Sequence, residues 1–128
     1  MKPFVLKKLA PVLFVEAVEP CVAFWTGLGF DKTAEVPHGD ALGFVILAKD
    51  GVELMYQSRA SVKADVPALA DAPSATALFL EVDDLDAVAA RVASAPPVFA
   101  RRKTFYGSEE IAVRDPAGNV VTFAQMAG

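Results

Sequence analysis

The sequence predicts an α+β domain made of two similar halves, each with the element order βαβββ. One observation is a repeat, because an apolar strand, an acidic turn and an amphipathic helix occur at residues 10–30 and again at residues 77–92. The other is that three strand patterns follow each helix. Solenoid repeats are shorter and need three or more copies, so this long period indicates two related halves of a single domain.

The first half begins with an apolar strand at residues 10–16. Its helix is predicted to begin at Glu19-Pro20, where an early proline sacrifices no hydrogen bond, and to end at Gly27 and Gly29. Asp50-Gly51 supplies the positive φ angles of a tight hairpin turn between the last two strands. The three strands after the helix are predicted at residues 31–37, 41–48 and 52–57.

The second half begins with a strand at residues 77–82. Asp83 or Asp84 is predicted to cap its helix, whose apolar residues share one face, and Pro96-Pro97 prevents the helix from continuing. A turn at residues 115–119 joins the last two strands. The three strands after the helix are predicted at residues 98–103, 110–114 and 120–125.

Residues 59–74, between the two halves, are rich in Ala, Pro, Asp and Ser and show little periodicity. We predict that they form a linker with room for a helical turn. The sequence is therefore divided into a first module of about residues 8–58, this linker, and a second module of about residues 75–126. All three belong to one domain over residues 1–128, a length that supports a single core.

The composition excludes several classes of protein. Apolar residues make up 54% of the chain, yet no run approaches the roughly 20 apolar residues that span a bilayer. The start, Met1-Lys2-Pro3, lacks the apolar stretch of a signal peptide, so we expect a cytoplasmic protein with no membrane partner. Sixteen acidic and twelve basic side chains argue against a nucleic-acid partner, which would require a basic face. The single cysteine, Cys21, excludes an intramolecular disulfide.

Four segments together resemble a known family. They are VEAVEPCVAFWTGLGF at 15–30, GVELMY at 51–56, FLEVDDLDA at 79–87 and DPAGNVVTF at 115–123. In combination they resemble the vicinal oxygen chelate superfamily, the group of glyoxalase I, bleomycin-resistance proteins and extradiol dioxygenases. The resemblance covers nearly the whole chain. It implies that the sheets of two βαβββ modules curl into a cup, commonly completed by dimerisation, so we expect a homodimer.

The resemblance also implies where a metal would bind. In the metal-dependent members that this chain resembles, one side chain on each of four strands holds a divalent ion. The matching positions here are Ala10, Glu53, Ala77 and Thr122, so three of the four ligands are absent. A zinc site needs about three or four protein ligands and a harder ion about six oxygens, so Glu53 alone is not sufficient. We therefore predict a site without metal or other cofactor, as in the bleomycin-resistance-like branch.

Glu53 and five aromatic residues are the candidate ligand-binding residues. We expect Glu53 to face the cup, as the matching Glu does in the family that the chain resembles, and there it could act as a base or pair with a cationic ligand. The alternative is a solvated strand face. Tyr106, next to Gly107, is expected at the rim of the cup. Aromatic rings stack on flat ligands, and those expected to reach the cup are Phe44, Tyr56, Phe99, Phe105 and Tyr106.

Four other features have both a functional and a structural interpretation. Trp25 could reach the cup, but its place beside Phe24 in the helix favours packing on the sheet. Cys21 could be a reactive thiol near a helix N-terminus, although a small buried hydrophobe is the more common case. His38, the only histidine, could be a gate or proton carrier or a surface loop residue. The basic run at residues 101–103 alternates across a strand and is expected to form a solvated edge.

Two functions are therefore weighed against each other. The first is a metal-independent protein that binds a small molecule, such as an antibiotic or an aromatic metabolite, and performs no chemistry on it. The acidic balance favours cationic or polar aromatic ligands. The second is an enzyme, a lyase, isomerase or dioxygenase-like member, in which Glu53 acts with a metal held partly by substrate and water. A weaker third possibility is an interaction module whose cup is closed by its own side chains.

Overall fold

Two four-stranded sheets, one in each half of the chain, form the framework of the computed structural model. The structure describes residues 2–73 and 75–128, so Ser74 at the end of the linker lies outside the described residues. The first module consists of β1 (Val12–Val15), α1 (Glu19–Thr26), β2 (Asp31–His38), β3 (Ala41–Lys49) and β4 (Val52–Ser58). The second consists of β5 (Ala77–Glu81), α3 (Leu85–Arg91), β6 (Pro97–Lys103), β7 (Ser108–Arg114) and β8 (Val120–Met126). The predicted α+β fold of two βαβββ modules is confirmed.

Both sheets have the same topology. The strand order is β1-β4-β3-β2 in the first sheet and β5-β8-β7-β6 in the second. The first strand of each module pairs in parallel with the last strand, so that Val12 lies opposite Met55 and Ala77 opposite Val120. The remaining pairs are antiparallel. The repeat detected in the sequence is therefore a repeat of topology as well.

The helix cap and the turns occur at residues that the sequence predicted. The Asp84 carboxylate accepts a hydrogen bond from the Ala87 N–H at 3.1 Å, so Asp84 and not Asp83 caps α3. After α1 the chain turns at Gly29, whose φ of +93° suits a glycine. Asp50 and Gly51 both have positive φ, 52° and 81°, which forms the tight turn between β3 and β4.

The linker is more ordered than its composition suggests. Residues Arg59–Asp65 form a helix, α2, and Pro67–Leu69 form a short 3-10 helix. Ser58, the last residue of β4, caps α2 by accepting a hydrogen bond from the Ser61 N–H at 3.1 Å. Among the described residues, no helix combines the length and the apolar character needed to span a membrane.

Each sheet buries one face against its helix. The buried side chains of both modules form a single core. Trp25 of α1 lies at its centre, fully buried, with its ring edge-on to Phe30 at 4.8 Å between centroids. The second module contributes Leu85 of α3 and Phe123 of β8 to the same cluster. The opposite face of each sheet, which we call the cup face, is left available for other contacts.

Candidate functional site

Side-chain alternation separates the core from the cup face on each sheet. In β4, Leu54 is buried in the core, whereas Glu53 and Met55 are half-buried on the other face. Cross-strand pairing assigns the neighbouring residues, and the first cup face includes Phe14, Phe44, Ile46, Glu53, Met55 and Gln57. The second cup face includes Ala77, Phe79, Phe99, Arg102, Ser108, Glu110, Ala112 and Thr122.

The four positions at which the family resemblance implies metal ligands occur in two pairs on these faces. On the first, the Met55 N–H donates to the Pro11 carbonyl at 2.9 Å, a register that places Ala10 beside Glu53. On the second, Ala77 and Thr122 are diagonal neighbours on adjacent strands. Two methyl groups and one hydroxyl do not fit the donor set of a divalent ion. Within residues 2–73 and 75–128, no three His, Cys, Asp or Glu side chains are grouped to hold a metal.

Glu53 is the one carboxylate among the four positions that match the family's metal ligands, and it forms a salt bridge with a lysine. Lys8 Nζ donates to Glu53 Oε1 at 2.8 Å, and the Glu53 side chain is 21% exposed. Glu53 lies on the same face of β4 as Met55, opposite the buried Leu54. A groove of about 450 Å³ is lined by residues of both modules, among them Glu53, Pro11 and Phe79.

A second carboxylate, Glu110 of β7, was not singled out from the sequence. It lies on the second cup face with only 1% exposure. Its Oε2 accepts hydrogen bonds from the Tyr106 hydroxyl and from Ser108 Oγ at 3.1 Å, and its Oε1 from Arg102 Nη2 at 3.3 Å. The bond from Tyr106, followed by those from Ser108 and Arg102, lowers the pKa of Glu110 against the opposing effect of burial. Glu110 is thus held as a carboxylate.

The signal for this carboxylate was the pair Glu109-Glu110 within a strand. Since successive residues of a strand point to opposite faces, one of two adjacent acids had to face the cup. Glu109 faces the helix side, where it pairs with Arg101. Glu110 is therefore the residue of the pair that belongs to the site.

A break in the ladder between β6 and β7 puts Arg102 on the same face as Phe99. Phe99 lies opposite Ala112 and Arg102 opposite Glu110, with a register shift between the two pairs. The Arg102 guanidinium carbon is 3.8 Å from the centroid of the Phe99 ring, which is a cation–π contact. Simple alternation would have placed residues three apart on opposite faces, so the irregularity produces this stack.

The other predicted aromatic residues are distributed around the cup. Phe44 is half-buried on the first cup face and Phe99 on the second. Tyr106 is 48% exposed in the turn between β6 and β7, with its ring edge-on to Phe105 at 5.1 Å. Phe105 is fully exposed at the tip of that turn. Phe44, Phe99 and Tyr106 therefore lie on, or at the edge of, a cup face, whereas Phe105 projects from the turn beyond it.

Tyr56 is the exception, and the prediction that it reaches the cup is wrong. It is fully buried, because residues 53 and 56 are an odd number apart and so point to opposite faces of β4. Its hydroxyl accepts a hydrogen bond from Trp25 Nε1 at 2.7 Å and donates one to Asp115 Oδ2 at 2.8 Å. Burial raises the pKa of Tyr56 strongly. Tyr56 therefore links the modules instead of contacting ligand.

The remaining residues with two interpretations are placed as follows. Trp25 packs in the core, and Cys21 is fully buried, where burial and then the Asp115 carboxylate raise the pKa of its thiol to about 12. Both match the structural alternative given above. His38 is exposed at the end of β2. In the basic run, Arg101 pairs with Asp86 and Glu109 on the helix side, while Arg102 faces the cup.

Comparison with solved structures finds the same architecture at low sequence identity. The structure of TioX from Micromonospora sp. ML1 has a TM-score of 0.75 and 16% identity, with 94% of this chain and 99% of that chain covered. A bleomycin-binding protein complexed with bleomycin has a TM-score of 0.66 and 21% identity, covering 95% and 100%. A lactoylglutathione lyase from Agrobacterium tumefaciens has a TM-score of 0.71 and 18% identity, covering 93% and 92%.

These structures are similar to the chain in fold alone, and they include a binding protein as well as a lyase. A search of curated proteins gives no significant match. A family model, in contrast, matches nearly the whole sequence. Residues 8–123 match the model described as Glyoxalase/Bleomycin resistance protein/Dioxygenase superfamily. With two βαβββ modules and a cup face on each sheet, the chain belongs to the glyoxalase/bleomycin resistance protein/dioxygenase superfamily.

Proposed function

We propose that the protein is a metal-independent small-molecule-binding protein of the bleomycin-resistance-like type, which sequesters an antibiotic or an aromatic metabolite. One observation carries the proposal. The metal-ligand positions of the cup faces are occupied by Ala10, Ala77 and Thr122, and the fourth, Glu53, is paired with Lys8. Side chains that cannot coordinate an ion leave the face suited to binding without chemistry.

Half-buried aromatic side chains on the same faces support this function. Phe44 and Phe99 are partly accessible, Phe79 is 55% exposed, and Tyr106 stands at the edge of the second cup face. Exposed rings on a concave surface are typical of sites for flat, apolar ligands. We include Phe105 and Glu53 among the ligand-binding residues and leave out Tyr56, which lies in the core.

The proposal includes a cytoplasmic homodimer in which a second copy of the chain encloses the cup faces. Exposed apolar side chains support the dimer, among them Phe4 and Leu6 near the N-terminus and Phe79 on the second cup face. Exposed apolar patches mark surfaces that associate.

The test is a thermal-shift screen of antibiotics and aromatic metabolites, run with and without a chelator. A compound at about a hundred times its dissociation constant should stabilise the protein by about 2.7 kcal/mol. We expect hits whose stabilisation is the same in both conditions. Hits that disappear with chelator, or a tightly bound stoichiometric metal found by elemental analysis, would instead support the enzyme that uses Glu53.

A variant with the missing ligands restored tests whether the cup can hold a metal ion. Restoring the missing ligands as Ala10→His, Ala77→His and Thr122→Glu should give a protein that acquires a divalent ion, since these positions carry the family's ligands. The wild type, purified in parallel, should contain none. A stoichiometric, tightly bound divalent ion in the wild type would contradict the proposed metal independence.

A further inference from the structure

We infer that Arg102 sets the ligand class of the second cup face, which selects planar aromatic compounds that carry a carboxylate. The inference rests on the proposed ligand-binding function and names the chemistry of the same site. It depends on three features: one face of the guanidinium is covered, the other is open, and most of its N–H donors are available.

The first feature is the stack on Phe99. With its guanidinium carbon 3.8 Å from the ring centroid, Arg102 is supported on one side by an aromatic surface. Its side chain remains 54% exposed. The open side is a flat cationic surface, which attracts the face of a second aromatic ring. A planar ligand could therefore extend the stack of Phe99 and Arg102 by one layer.

The second feature is the weak hold that Glu110 has on Arg102. The Glu110 carboxylate is satisfied chiefly by the hydroxyls of Tyr106 and Ser108, whereas its contact with Arg102 is the longest of the three, at 3.3 Å. Bonds between guanidinium and carboxylate are usually shorter, about 2.7–2.9 Å. Glu110 therefore orients the Arg102 guanidinium but leaves its other N–H groups available to a ligand.

The third feature is the supply of free donors. A guanidinium carries five N–H groups in a planar fork that matches a carboxylate. In the described part of the chain, the contact with Glu110 is the one hydrogen bond that the Arg102 side chain makes. The fork can accordingly bind a ligand carboxylate in a bidentate manner while the aromatic part of the ligand lies against the guanidinium plane.

Arg101, the adjacent residue in the same strand, is an arginine whose side chain is already bonded to carboxylates. Its side chain bonds to both Asp86 and Glu109 on the helix side of the sheet. It therefore has the same charge and nearly the same place in the sequence, but it faces away from the cup and is already paired. Arg101 is the natural control for Arg102.

The experiment compares two probes of equal shape, naphthalene-2-carboxylate and naphthalene-2-carboxamide, by isothermal titration calorimetry on the full-length protein. We expect the wild type to bind the carboxylate at least about tenfold more tightly than the amide, the scale of one charge-assisted contact. Arg102→Met should abolish the preference. Arg102→Lys, which keeps the charge but not the plane, should retain only part of it, and Arg101→Met should retain all of it.

The outcomes separate this inference from the proposed function. Equal binding of both probes by the wild type, or an unchanged preference in Arg102→Met, overturns the role of Arg102 while binding itself stands. If neither probe binds but the compound screen yields a ligand, the carboxylate class is wrong and the function survives. If nothing binds at all, the function and the inference both fail. Thermal melts show that each variant is folded, and Arg102→Gln replaces Arg102→Met if the latter is not.

Discussion

The Glu110 carboxylate is shielded from water by its neighbours on the same sheet and not by a deep core. Tyr106 and Arg102, which cover it, are each about half exposed. A single layer of side chains therefore separates the Glu110 carboxylate from solvent. A ligand that displaces either neighbour would also change the environment of Glu110, so this carboxylate is coupled to whatever binds on the second cup face.

Acidification should destabilise the protein in part through Glu110. Because its pKa in the folded state is lowered, the ionised group stabilises the fold above the ordinary glutamate pKa, and this contribution is lost as the pH falls through the lowered value. The melting temperature of Glu110→Gln should thus fall less than that of wild type between about pH 7 and about pH 3. Tyr106→Phe, which removes the main cause of the shift, should act in the same direction. Parallel acid limbs in calorimetric melts would contradict this.

Cys21 should be inert in the folded protein. Its thiol is fully buried and its pKa is raised to about 12 by burial and by the nearby Asp115 carboxylate, so almost no thiolate is present at neutral pH. At about pH 8, a chromogenic disulfide reagent should react with Cys21 only after denaturant is added. Rapid reaction of the native protein would mean that the thiol is accessible.

At the level of elements, most boundaries follow from local signals in the sequence. The cap at Asp84 and the turn at Asp50-Gly51 depend on the side chain or backbone of the residues themselves, so they could be predicted. The irregularity between Phe99 and Arg102 could not, because no Gly or Pro marks it and it arises from pairing with β7. Tyr56 could have been assigned correctly, since alternation from Glu53 already placed it on the core face.

The link between α1, β4 and the turn before β8 should be a major source of stability. Tyr56→Phe removes the hydroxyl that satisfies both Trp25 Nε1 and Asp115 Oδ2, and leaves two buried polar groups with fewer partners. We expect the free energy of unfolding to fall by about 1–3 kcal/mol. Denaturant titrations check the value. As a control, Thr33→Val also removes one hydroxyl, but from an exposed side chain that donates to the Ile46 carbonyl, so it should cost less.

At the scale of the whole molecule, the candidate site is divided between two sheets, and this division affects how two copies of the chain associate. The cup faces carry apolar and aromatic groups that the chain leaves partly exposed, including Phe79 at 55% exposure. We therefore expect a homodimer at micromolar concentration, with a mass twice the 13.5 kDa of one chain. Light scattering coupled to gel filtration measures this mass. A single-chain mass at micromolar concentration would contradict the homodimer.

The hydrogen bond from Trp25 to Tyr56 also makes the protein its own optical reporter. Trp25 is the only tryptophan, and its indole lies fully buried at the point where the first module meets Asp115 of the second. Indole emission shifts to longer wavelength when water replaces such surroundings. Intrinsic fluorescence therefore records the contact between the modules from a single position. Separation of the two halves would be visible without any label.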